Sequence, residues 1–257
     1  MTKKTTTAAQ AVVDAFTKEN VEFVFGLTGS HVLSITDVLA DLPEIRHVVV
    51  KHESNAAYMA GMYGYLTGRP GVALVTAGPG ATNSISGVAQ AYASSLPMVH
   101  ISGDVPLAAG NEPFHGVDRA DFLHRMFADI TKWSVRIEYP EQIPGVLSRA
   151  FALATSGRPG PVHVDIPVDI VRATDVEAAS YQPSPVERPS PPEVLLDHVR
   201  QALAAAERPL ICAGRGVMIH HAGSELLALA GALGAPVLCT EYAPVSYTHL
   251  RAHETND

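Results

Sequence analysis

The chain has 257 residues, of which 47% are hydrophobic and 17% charged, so it can bury the core of one large domain or two ordinary ones. Its formal net charge of −8, without a Lys/Arg cluster, argues against nucleic acid or an anionic membrane as the main partner. The polar start at 1–10 has no signal-peptide core and no apolar run is long enough to span a bilayer. With Cys212 and Cys239 reading as reduced, buried thiols, these features predict a cytoplasmic protein.

Strand and helix alternate along the first two thirds. Thr5 to Thr7 can cap a helix running to about residue 20, with Ala9, Val12, Val13 and Phe16 on its inner face. A strand is expected at 21–27, and Ser30 as the cap of a helix through Val32, Leu33, Ile35, Val38 and Leu39. Residues 45–50 are β-branched and short, the mark of a buried parallel strand. Residues 53–67 read as a helix stopped by Gly68, 71–76 as a strand, 80–95 as a helix and 98–102 as a strand. After a loop holding Gly110, Asn111 and Pro113 come a helix at 121–128, a strand at 132–137, a helix at 143–156 and a strand at 162–166.

This rhythm predicts a doubly wound parallel α/β sheet over 1–177. Residues 178–192, with Pro183, Pro185, Pro189, Pro191 and Pro192, read as a linker. A second Rossmann-like α/β domain starts at 193, with helices at 194–206 and 224–233 and strands at 210–213 and 236–240, and is expected to be cut short near 244. Residues 245–257 break the rhythm. They resemble the translation of a transposase-type sequencing adapter, and a non-native tail is expected there, so His249, His253 and Glu254 are not taken as metal ligands.

Two segments carry chemistry. Lys51-His52-Glu53 sets a carboxylate at the C-terminal end of a strand, where open α/β sheets place ligand sites, although a glutamate opening a helix is also a common structural choice. Thr76-Ala77-Gly78-Pro79-Gly80-Ala81-Thr82-Asn83 follows the next strand. Its glycines allow close backbone approach before a helix N-terminus. Asn83 stands where a dinucleotide fingerprint needs its third glycine, no acid follows at the usual distance, and the Lys-Ser/Thr pair of a phosphate loop is missing. A generic nucleotide-binding Rossmann protein is therefore disfavoured.

Together, Lys51 to Glu53, Ala57 to Gly68 and Gly71 to Asn83 resemble the pyrimidine-binding domain of thiamine-diphosphate enzymes of the acetolactate synthase type. The likeness continues through 97–103, 130–133 and 156–167, and covers roughly residues 8–244. The resemblance implies that Glu53 hydrogen-bonds the aminopyrimidine ring of thiamine diphosphate and activates it. It also implies that Thr28, Thr76, Gly78, Pro79, Gly80 and Asn83 line the pocket. The implied reaction is decarboxylation of a 2-oxo acid with transfer of the acyl-anion equivalent to an acceptor. Two histidines depart from the synthase pattern. His31, after the first strand, looks more like benzaldehyde lyase and its carboligase relatives, and His115, in Pro113-Phe114-His115-Gly116, stands where the synthases place glutamine. Both are candidate acid–base groups, and both are also compatible with ordinary loop histidines. A lyase of the benzaldehyde lyase or oxalyl-CoA decarboxylase kind is the alternative within the family, and a non-catalytic pyrimidine-domain partner subunit the alternative outside it.

The family's Gly-Asp-Gly motif, which holds magnesium against the diphosphate, does not occur in the chain. The resemblance therefore places Mg²⁺ on a further domain, implies a site shared between subunits of a homodimer or homotetramer, and makes the 257-residue piece alone inactive. Ala213-Gly214-Arg215-Gly216 resembles the start of the central domain that holds FAD in some members; a tight turn explains the same residues.

Overall fold

The computed structural model describes residues 6–107, 115–117, 119, 121–177, 180–186 and 190–240. Pro113, Phe114, residues 241–244 and the tail at 245–257 lie outside the described residues, as do parts of the linker stretch. Two compact units divide at residues 188 and 189.

In the first unit the elements run α1 (Ala8–Lys18), β1 (Phe23–Gly26), α2 (Leu33–Ala40), β2 (Arg46–Val49), α3 (Glu53–Thr67), β3 (Gly71–Val75), α4 (Pro79–Asn83), α5 (Ile85–Ala93) and β4 (Met98–Asp104). They continue with α6 (Phe122–Ala128), β5 (Ser134–Arg136), a 3₁₀ turn at Pro140–Gln142, α7 (Ile143–Thr155), β6 (Pro161–Pro167) and the short α8 (Val168–Val171). All six strands are parallel, in the order β2-β1-β3-β4-β6-β5. The doubly wound α/β sheet is therefore present. β3, β4 and β6 are buried along their whole length because helices cover both faces. On one face Val72, Leu74, Val99, Ile101, Val162 and Val164 pack against α1, α2 and α7 through Phe16, Ile35, Leu147 and Phe151. On the other, Ala73, Val75 and Met98 meet α3, α5 and α6 through Ala56, Ala60, Val88, Leu123 and Phe127. Each large side chain buried this way stabilises the fold by roughly 1.5–3 kcal/mol.

The α3 face has a further feature. Along β4 the residues pointing that way are Met98, His100, Ser102 and Asp104, and on β6 they include His163 and Asp165. Their register neighbours pair across the strands: His100 with His163 at 2.9 Å and Ser102 with Asp165 at 2.9 Å. A polar seam thus runs through an otherwise apolar layer.

Helix ends follow local chemistry. The Thr7 hydroxyl caps α1 by accepting from the Gln10 N–H, His52 caps α3 through Nδ1, and Gly68 ends α3 in the left-handed region at φ 70°. Three expectations fail. Ser30 does not cap α2, whose N-cap position is held by Val32 without a side-chain hydrogen bond; the Ser30 hydroxyl turns to His31 instead. β2 is parallel but forms the sheet edge, so it is only partly buried. The helix expected at 80–95 breaks at Ser84 into α4 and α5.

The Pro-rich stretch is docked in part: Tyr181 is buried and donates to Glu19, and the Ser148 hydroxyl bonds the Gln182 carbonyl. The second unit holds α9 (Glu193–Ala205), β7 (Ile211–Ala213), α10 (Arg215–Ile219), α11 (Gly223–Leu233) and β8 (Val237–Cys239), with β7 and β8 paired in parallel. Cys212 is exposed and Cys239 half-buried, neither of them in a disulfide, against the expectation of buried thiols; in a two-strand sheet both strands are edges. Among the described residues no helix is long and apolar enough to cross a membrane.

Candidate functional site

Strand order reverses beside β1: the chain steps outward to β2, then crosses back to β3 on the other side. A crevice opens at such a switch point outside the carboxyl ends of the strands. The loop after β1 brings Thr28 to His31 there, and the turn after β3 brings Thr76 to Asn83. Glu53 follows the edge strand, yet α3 packs across β1 and β3, and its first turn leans toward the same crevice.

Glu53 is 7% exposed. The Asn83 side-chain amide donates to its Oε2 at 3.0 Å, and the Ser54 hydroxyl donates to the Asn83 carbonyl at 2.6 Å. Two bonds thus tie the start of α3 to the last residue of α4. The Glu53 Oε1 lies 3.5 Å from where a Cβ on Gly80 would sit. Gly80 and Gly29 close on Thr76 from two sides: a Cβ on either would come within 2.7 Å of the Thr76 side chain. Gly78 needs glycine twice over, having φ 57° and lying against the His115 backbone, 2.6 Å from an added Cβ.

His31 is buried, with Nδ1 at 3.1 Å from the Ser30 hydroxyl and 3.4 Å from that of Thr76. Its ring meets that of His115 with centroids 4.6 Å apart. The structure therefore gathers Glu53, Thr76, Gly78, Gly80, Asn83, His31 and His115 around one crevice. Pro79 opens α4 and is exposed. Thr28 is exposed on the β1 exit loop, without a described contact to Glu53. Ser54 and the capping role of His52 escaped the sequence reading; Ser54 sits beside Glu53, and its spacing as the second helical residue was the available signal.

Residues 6–124 match the model of the thiamine pyrophosphate enzyme N-terminal TPP binding domain, and residues 196–247 match that of the central domain of the same enzymes. The chain belongs to the thiamine pyrophosphate enzyme family. Similar proteins include the probable acetolactate synthase large subunit of Methanocaldococcus jannaschii, 38% identical over 240 residues, covering 90% of this chain and 40% of the relative. The acetolactate synthase large subunits of Corynebacterium glutamicum and Haemophilus influenzae are 37% and 38% identical over 241 residues; each alignment covers 91% of this chain, with 37% and 41% of the relatives. The chain thus spans about 40% of the length of the curated relatives it matches.

The crevice suits the pyrimidine end of thiamine pyrophosphate. A buried carboxyl with one oxygen held by an amide has its second oxygen toward Gly80, and glycines at 78 and 80 leave the turn without side chains. Among the described residues no group of three metal-ligating side chains occurs. In the second unit, Gly214 is the N-cap of α10 and Gly216 lies in its first turn, where an added Cβ would meet nothing within 4 Å. Packing does not require glycine there.

Proposed function

We propose that this chain supplies the pyrimidine-binding half of a thiamine diphosphate site in an enzyme that decarboxylates a 2-oxo acid and passes the acyl-anion equivalent to an acceptor, as in acetolactate synthases. The observation that carries this reading is the Glu53–Asn83 bond at the switch-point crevice, beside the glycine turn. When bound, thiamine diphosphate supplies an electron sink for cleaving the bond next to a carbonyl. Glu53 holds or releases the proton at the ring nitrogen, Asn83 orients the Glu53 carboxyl, and Thr76 with Gly78 and Gly80 shapes the floor. Thr28 and Pro79 belong to the rim. Mg²⁺ and FAD belong to this reading through the family resemblance, with the turn at Gly214–Gly216 as the place for a flavin phosphate.

A homodimer or homotetramer fits the surface of α3. Tyr58, Met59, Met62 and Leu66 are exposed along that helix, and Tyr92 of α5 adds to the row. A helix apolar on its outer side calls for cover. Under this reading the 257-residue chain alone is inactive and binds the cofactor poorly.

The contact of His31 with His115 favours a second reading, a carboligase or lyase of the benzaldehyde lyase kind, in which the pair exchanges protons with the acceptor. The deciding experiment uses the full-length enzyme. Glu53→Gln removes most turnover on any 2-oxo acid the wild type accepts, whereas near-normal turnover excludes Glu53 from the reaction. Comparing pyruvate with aromatic 2-oxo acids and aldehydes separates the two readings.

A further inference from the structure

Two fully buried histidines of the seam, His100 and His163, join the fully buried Ser84 above the sheet in one hydrogen-bonded chain. Its polarity follows from counting protons. The Ser84 hydroxyl donates its single hydrogen to the Ala81 carbonyl at 2.6 Å. The 2.8 Å contact between Ser84 Oγ and His100 Nε2 therefore has the imidazole as donor. Burial holds both imidazoles neutral, pushing His100 down to about 3 and His163 well below its usual value. A neutral ring with its proton on Nε2 accepts at Nδ1, so the 2.9 Å bond between the two Nδ1 atoms has His163 as donor. His163 Nε2 is then a bare lone pair, and this atom is indeed buried without a partner. Phe127 lies against both rings, at 4.2 Å from His163 and 4.8 Å from His100.

The chain of bonds ends at the candidate site. Ala81 lies in α4, Ser84 is the break between α4 and α5, and Asn83 beside it holds Glu53. Apolar residues would fill the space under α5 without the cost of burying two imidazoles. What the imidazoles add is direction, since the proton count fixes which atom donates and which accepts at each bond of the chain. The geometry points to His100 and His163 as positioning residues, which fix the height of the α4–α5 junction over the sheet and so aim the Asn83 amide at Glu53. This inference rests on the proposed role of Glu53.

The test needs no cofactor. Imidazole ¹⁵N NMR of the unmodified chain is expected to show His100 as the Nε2–H tautomer and His163 as the Nδ1–H tautomer between about pH 6 and 8, with neither ring titrating there. The opposite polarity, or rapid tautomer averaging, overturns the inference whether or not any variant folds. His163→Leu is then expected to shift the Asn83 side-chain amide resonance toward its free position, and His163→Asn to restore it, because the asparagine amide nitrogen takes the place of Nδ1. A folded His163→Leu protein with an unshifted Asn83 amide overturns the inference. In the full-length enzyme the leucine variant lowers kcat with little change in KM, and the asparagine variant recovers it. If Glu53→Gln proves active while the NMR results hold, the cofactor reading fails and the positioning of Asn83 stands.

Discussion

The Asn83 amide donates to Glu53 Oε2 at 3.0 Å, joining the last residue of α4 to the first residue of α3. Neither helix alone aims the carboxyl, because the partners come from different crossovers of the sheet.

Asn83→Ala is expected to cost about 1–3 kcal/mol, since it leaves a buried carboxyl oxygen without its donor. Asn83→Asp is worse, because it sets a second carboxylate against Glu53. Urea unfolding of the chain measures the first effect, and turnover of the full-length enzyme should fall in the order wild type, alanine, aspartate. Equal stability of wild type and alanine variant argues that the bond is not maintained in solution.

Gly64 lies within α3, where helix propensity alone favours alanine by about 1 kcal/mol. A Cβ there would stand 2.0 Å from the Pro97 carbonyl oxygen, which belongs to backbone and has nowhere to go. The overpacking cost, of order 1–3 kcal/mol or more, outweighs propensity, so Gly64→Ala is expected to destabilise. A raised melting temperature would show that α3 is free to move off the sheet.

Arg136 pairs with Asp104 at 2.7 Å and approaches Asp165 at 3.7 Å, with all three side chains largely buried. Burial first, and the neighbouring Asp104 second, push the Asp165 carboxyl well up. Arg136→Met leaves two buried carboxyls facing each other and is expected to cost about 3–5 kcal/mol at neutral pH. That loss should shrink on acidification as Asp165 takes up a proton. Asp165→Asn mimics the protonated form and still accepts from Ser102, so a change within about 1.5 kcal/mol is expected. Unfolding curves of both variants at two pH values check the signs.

Much of the architecture was legible because the signals were local. Gly68 stops α3, Thr7 caps α1, and Glu53 with the 76–83 turn, picked out by their places after two strands, come together in the fold. What escaped the reading depends on distant partners. β2 has the β-branched composition of a central strand, and only the strand order makes it an edge. Ser84 breaks a helix whose apolar period runs on, since its hydroxyl turns to Ala81 and His100. His31 and His115 belong to separate loops, and their ring contact arises from folding alone. His100 and His163 sit inside strands that read as plain hydrophobic runs, and only the parallel register of β4 and β6 makes them a pair.

That pair also sets an acid limit on the fold. An unfolded imidazole titrates near 6.5, whereas burial holds His100 at about 3 and His163 well below 6.5. Below pH 6.5 the unfolded chain therefore binds protons that the folded chain refuses. The stability associated with the neutral pair is complete above that pH and falls as pH drops toward 3, by about 1.4 kcal/mol per pH unit for each fully titrating group. His124, near His163, adds to the repulsion once charged. Urea unfolding from about pH 7.5 down to pH 5 should show this slope in the wild type, and a His100→Leu, His163→Leu double variant should show a flatter one. Parallel curves for the two proteins would mean that carboxylates alone govern the acid loss and that the imidazoles do not resist protonation in the folded core.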